Sequence, residues 1–116
     1  MNSILSSIKK LLGLPEEYDQ FDPDIVMHIN TVLAILVQMG VGKPLTIYDN
    51  TATWNQFISD MTNYEIVKSY VYFKVRLMFD PPQTSSLTDA INKNISELEW
   101  RLFVQADNDR LEGSDE

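Results

Sequence analysis

His28 is the one histidine in this chain, and no cysteine accompanies it. A catalytic or metal-binding imidazole needs a second group, either a nucleophile to activate or further ligands at a suitable spacing. Neither is found near His28, which sits beside Ile29 on the polar side of a helical repeat and reads as a surface or half-buried structural histidine. Glu97 and Glu99 are the next candidates, because paired carboxylates can do general acid–base work. Residues two apart on a helix point to different faces, so these two cannot flank one substrate without help from another element. Glu97 instead precedes Arg101 by one helical turn, an ion pair in the favourable orientation worth about 0.3–0.5 kcal/mol.

Gly40-Val41-Gly42-Lys43 has the residue types of a phosphate loop but not its context. Such a loop follows a strand, has a longer glycine spacing and runs into a helix at Lys-Ser/Thr. Here the glycines end a helix and Lys43 precedes Pro44. Lys9, Lys10, Lys68, Lys74 and Arg76 are too sparse, and too interleaved with apolar positions, for a nucleic-acid face. No catalytic residue, metal ligand or cofactor site is expected. A small hydrolase would require His28 and a carboxylate to converge in one pocket.

The elements that would have to position any site are helical. Ile4, Leu5, Ile8, Leu11 and Leu12 recur at helical spacing over about Asn2 to Leu12, with Ser6, Ser7, Lys9 and Lys10 toward water and Gly13 and Pro15 as the stop. A second helix starts with Asp22 as N-cap, Pro23 in the first turn and Asp24 at the positive helix end. Ile25, Ile29, Val32, Leu33, Leu36 and Val37 form its stripe, widened by Val26 and Ile35, and Gly40 and Gly42 end it. Trp54, Phe57 and Ile58 fit a short third helix capped by Thr51 or Thr53. A dense fourth helix runs from about Asn63 to Phe79, with Ile66, Tyr70, Phe73 and Leu77 on one face and Val67, Val71, Val75 and Met78 beside them. Asp80-Pro81-Pro82 breaks it, because proline lacks the N–H and restricts the residue before it.

A fifth helix follows, capped by Thr84, Ser85 or Ser86, with the stripe Leu87, Ile91, Ile95, Leu98 and Leu102. Trp100, Phe103 and Val104 lie partly off that stripe. Either neighbouring helices wrap around it, or an exposed aromatic patch marks an interface. Leu45-Thr46-Ile47-Tyr48 alternates weakly; as a lone extended piece it would remain a loop or pair across a subunit boundary. The expected fold is therefore all-α: a compact bundle of about five helices over residues 1–106, with a polar, acidic, flexible tail over 107–116.

The 116 residues suit one domain, and the apolar fraction of 44% with 22% charged is that of a globular chain. The net charge of −8 repels nucleic acid. About half of it lies in the last ten residues, where Asp107, Asp109, Glu112, Asp115 and Glu116 face only Arg110. Ile25 to Val41 is the most membrane-like run, but His28, Asn30, Thr31 and Gln38 interrupt it and it is too short to span. A soluble protein without membrane contact is expected, and no targeting segment is seen at Met1 to Leu12.

Several segments, in order, resemble the phage head–tail connector (adaptor) proteins. They are Ser3-Ile4-Leu5 through Leu12-Gly13, Phe21-Asp22-Pro23-Asp24-Ile25, His28-Ile29-Asn30 through Met39-Gly40-Val41-Gly42, and Ala52-Thr53-Trp54. Tyr70-Val71-Tyr72-Phe73-Lys74-Val75-Arg76-Leu77-Met78-Phe79-Asp80-Pro81-Pro82 and Ile95-Ser96-Glu97-Leu98-Glu99-Trp100-Arg101-Leu102 complete the set. The resemblance implies a structural, non-enzymatic subunit of the virion neck, made in the bacterial host cytoplasm. Such adaptors form a ring, usually twelve-fold, below the portal protein. The ring extends a channel through which DNA passes without sequence-specific binding, and it docks a stopper or tail-completion protein. Family members engage the portal through a flexible C-terminal segment, which maps here onto about Gln105 to Glu116.

On this reading the candidate interface comprises Trp100, Phe103, Val104, Gln105, Asp107, Asp109, Arg110 and Leu111. Leu45, Thr46, Ile47 and Tyr48 are a candidate inter-subunit segment. The alternative is a small helical regulator that binds another protein or DNA.

Overall fold

The Asp80-Pro81-Pro82 break turns the chain between two long helices, and the N-terminal half is laid against the first of them. The computed structural model describes the backbone of residues 3–59 and 61–114 and the side chains of 3–59 and 63–107. The described helices are, in order, α1 (Ile4–Leu11), α2 (Asp22–Gln38), α3 (Trp54–Phe57), α4 (Met61–Phe79) and α5 (Ser85–Ser114). The architecture is all-α, as its sequence patterning leads one to expect. Extended pairing among the described residues is limited to an isolated antiparallel bridge between Ser3 and Thr53. α4 is the central helix, packed against α2, α5 and α1. The whole forms a slab of 48 × 35 × 19 Å.

Each element has a local reason to start and stop. Ser3 caps α1, its hydroxyl accepting the Ser6 N–H at 3.2 Å. Ile4, Leu5 and Ile8 are buried, whereas Leu11, expected on the same stripe, is exposed. α2 begins with Pro23 in its first turn, where a missing N–H costs nothing. Phe21, rather than Asp22, is its N-cap residue, and Asp22 takes the first helical position. Ile25, Ile29, Val32, Leu33 and Leu36 fill the core side of α2. The turn after α2 needs Gly42 on two counts. Its φ is +80°, and a Cβ there would come within 2.5 Å of the Phe57 ring. Lys43 N–H then donates to the Phe57 carbonyl at 2.8 Å, tying the turn to α3.

α3 is only one turn long and would not persist alone. Gln56 helps to hold its start, accepting the Thr53 N–H at 3.0 Å. Trp54 and Phe57 are fully buried, and Trp54 Nε1 donates to the Ser7 hydroxyl at 3.1 Å. Along α4 the fully buried ridge is Val67, Tyr70, Val71 and Val75. Ile66, Phe73 and Leu77, expected on one face with Tyr70, lie at its half-buried flank. α5 buries Ile91, Ile95 and Leu102, keeps Leu98 half-buried and leaves Leu87 exposed. Its first turn is capped by Thr84, whose hydroxyl accepts the Leu87 N–H at 3.4 Å.

The expectation for Lys9 needs correction. Lys9 does not face water: its side chain is 2% exposed. Its ammonium lies 3.0 Å from Asp22 Oδ1 and donates to the Glu16 carbonyl at 2.9 Å. Among the described residues Asp22 Oδ1 has no aligned hydrogen bond, so the Lys9 approach is an ion contact. The four-carbon stem of Lys9 fills apolar space while its head meets charge at the edge, which is why a lysine is tolerated there. At the C-terminal end, the α5 backbone runs past Ala106. α5 continues through Ser114, carrying the acidic sequence as helix backbone.

Candidate functional site

The fold separates the residues that sequence types nominate for chemistry. His28 is half-buried on α2. Among the described residues, no three His, Cys, Asp or Glu side chains gather so as to hold a metal ion. Glu97 and Glu99 diverge as helical geometry requires. Glu97 accepts from Arg101 at 2.9 Å, and both side chains are well exposed. Glu99 turns the other way and accepts the Tyr70 hydroxyl at 2.9 Å, clamping α5 to α4. Burial, and then the Glu99 carboxylate, push the Tyr70 phenol far above the ordinary tyrosine range. The clamp was missed in sequence. Its one available signal is that Glu99 stands a helical turn after Ile95, at the margin of the buried stripe.

The outward side of α5 differs in character. Trp100 is 66% exposed and Phe103 56% exposed, so large apolar groups stand in solvent. Val104, Gln105 and Asp107 are half-buried beside them. Asp109, Arg110 and Leu111 lie on the helical backbone of α5, but their side chains fall outside the described residues. Between α5 and the start of α4 runs an open slot of about 410 Å³. Ile66, Trp100 and Val104 give it apolar walls, and Glu97 and Arg101 stand at its rim. A packed aromatic pair in such a position would contribute beyond its area alone.

The segment over residues 45–48 forms no strand. Leu45 is half-buried, Thr46 exposed, Ile47 buried and Tyr48 83% exposed, so the weak alternation in the sequence is real. What fixes it is Asn30. Its side-chain amide donates to the Ile47 carbonyl at 2.9 Å, and its oxygen accepts the Ile47 N–H at 2.8 Å. Both backbone groups that a neighbouring strand would need at Ile47 are therefore already used within the chain. Next to it, Asp49 accepts the Thr51 N–H at 2.9 Å and the Thr51 hydroxyl at 2.6 Å, forming a tight Asx turn. The Thr51 hydroxyl, then its N–H, hold the Asp49 carboxyl below the usual carboxylate range. Glu16 nearby is likewise lowered, chiefly by the Ser6 hydroxyl that donates to it at 2.7 Å.

A third exposed apolar group links the α1–α2 connection to the end of α4. The rings of Tyr18 and Phe21 lie 5.6 Å apart, and those of Phe21 and Phe79 lie 5.3 Å apart. Met78 is exposed close by in sequence. No described helix is long and apolar enough to cross a membrane.

The arrangement offers exposed apolar surfaces, and comparison with known proteins adds a family. The family model described as phage connector protein matches residues 4–109. No curated protein and no solved structure matches the chain. The family match spans all five helices from the first residue of α1 into the last turns of α5, and the chain therefore belongs to the phage head–tail connector proteins, a structural family.

Proposed function

We propose that this connector assembles into a ring below the portal, extends the channel for DNA, and docks the next neck or tail protein in the virion. The observation that carries the reading is the outer side of α5. The helix packs on α4 along one stripe, yet keeps Trp100 and Phe103 in solvent. Exposed aromatics on a helix of this length are a cost to an isolated chain and an asset to an assembled one. A ring requires two different faces of each subunit to meet, and the chain has several unlike apolar surfaces to offer. The net charge of −8 suits a channel wall, since like charge keeps phosphates from sticking.

The acidic segment over 107–116 is the proposed portal-engaging element, with helical backbone as far as Ser114 to carry it away from the core. Ala106 still packs against the core. Removing 107–116 should therefore leave cooperative unfolding intact while weakening portal attachment. Mixing the protein with its cognate portal and imaging by electron microscopy tests the reading. A ring seated below the portal is the expected result. Bare portals at high protein concentration would overturn it.

A further inference from the structure

Tyr48 is a projection and the slot beside Trp100 a recess, both carried on one chain. Tyr48 is the most exposed large apolar side chain among those described, and its loop is not loose. Asn30 grips Ile47 from one side through two hydrogen bonds, and the Asp49–Thr51 turn grips from the other. A tyrosine has few rotors, so a braced one loses little freedom when it is buried by a partner. The slot, by contrast, is concave, open and walled by Ile66, Trp100 and Val104.

The charges also correspond. Asp49 flanks Tyr48, and Glu16, Glu17 and Asp19 line the groove beneath it. Arg101 stands at the slot, paired with exposed Glu97. An exposed pair of that kind holds weakly and can exchange partners. The loop runs from α2 to α3 and the slot lies between α4 and α5, with no residue shared between the groove at Tyr48 and the slot. A projection and a recess on different elements of one chain make a head-to-tail contact, which closes into a ring when the rotation allows.

The geometry points to insertion of Tyr48 of one copy into the Ile66–Trp100–Val104 slot of the next, with Arg101 meeting the acidic groups around Tyr48. This rests on the ring reading and specifies its lateral contact. It also replaces backbone strand pairing at Ile47, which Asn30 has already satisfied, with a side-chain knob.

Because the chain contains no cysteine, introduced thiols report on this contact alone. Tyr48→Cys and Val104→Cys placed together in one chain, assembled on the portal and oxidised, should give a ladder of covalent multimers. The two single variants mixed should stop at dimers, and each alone should give none. If the double variant does not assemble, Tyr48→Ala and Trp100→Ala serve instead. Each should raise the concentration for half-assembly about tenfold, and the pair together should cost much less than the product of the two. Wild-type rings with no ladder and with independent effects of the two alanine variants would overturn the contact while leaving the ring intact. Self-crosslinking of Tyr48→Cys alone would overturn it too. Absence of wild-type rings would remove both readings.

Discussion

The half of the molecule built from α1, α2 and α3 and the outer side of α5 treat their side chains in opposite ways. In the first region polar groups are turned inward and matched. Lys9 reaches Asp22, Asn30 grips Ile47, and Trp54 donates to Ser7. On α5 the apolar groups are turned outward and unmatched, with Trp100 and Phe103 in water. Unpaired buried polar groups are expensive, so the first region is specified by its own contacts. Unburied aromatics gain nothing until something covers them, so the second is specified by contacts the isolated chain does not make.

The two tryptophans give the sharpest way to break this contrast. Trp54→Ala should destabilise the fold by about 3–5 kcal/mol, the range for deleting a buried aromatic. Trp100→Ala should change stability by less than about 0.5 kcal/mol, as exposed positions do, while reducing assembly. Urea titration of both variants checks the pair, and equal losses would erase the distinction. The ion pair of Lys9 and Asp22 should be lopsided. Asp22→Asn leaves an ammonium buried without its counter-charge and should cost about 2–3 kcal/mol, below the full range for buried pairs because Asp22 is partly exposed. Lys9→Met leaves only a carboxylate that water can reach, and should cost clearly less in the same titration.

Asn30→Ala should cost about 1–2 kcal/mol by stranding both backbone groups of Ile47. Faster hydrogen exchange at the Ile47 amide is the specific sign, since a packing loss alone would not single out that amide. Among the polar contacts that hold the fold, a smaller effect belongs to the α4–α5 clamp. Tyr70→Phe should lower stability by about 1 kcal/mol. The phenol is raised in the folded state, so its contribution is whole below the ordinary tyrosine value of about 10 and fades as pH climbs above it. Ultraviolet titration should show a late-ionising tyrosine, and Tyr70→Phe should delete that late step.

Much of the contrast could be read in the sequence on one side only. The stripes of α2 and α5, the proline break and the insertion of Trp54 and Phe57 follow from periodicity and from residues that cannot continue a helix. Trp100 and Phe103 stood off the α5 stripe, and their exposure is in keeping with that. The internal polar matches were not legible, because each joins residues that only the tertiary fold brings together. Lys9 sits among polar neighbours and reads as solvent-facing until Asp22 arrives from another helix. Asn30 looks like an interruption of an apolar run until Ile47 folds back onto it. The reach of α5 past Ala106 is hidden in the sequence for a different reason. Acidic composition suggests disorder, yet Gln105, Ala106, Arg110 and Leu111 are good helix formers and extend a helix already nucleated on α4.

The central claim is that the outer side of α5 serves assembly and not folding. Sedimentation of a Trp100→Ala, Phe103→Ala double variant, alone and with the cognate portal, tests it most directly. The variant should unfold with an unchanged midpoint and fail to co-sediment with portals that the wild-type protein decorates. Decoration equal to wild type by the double variant would contradict the account.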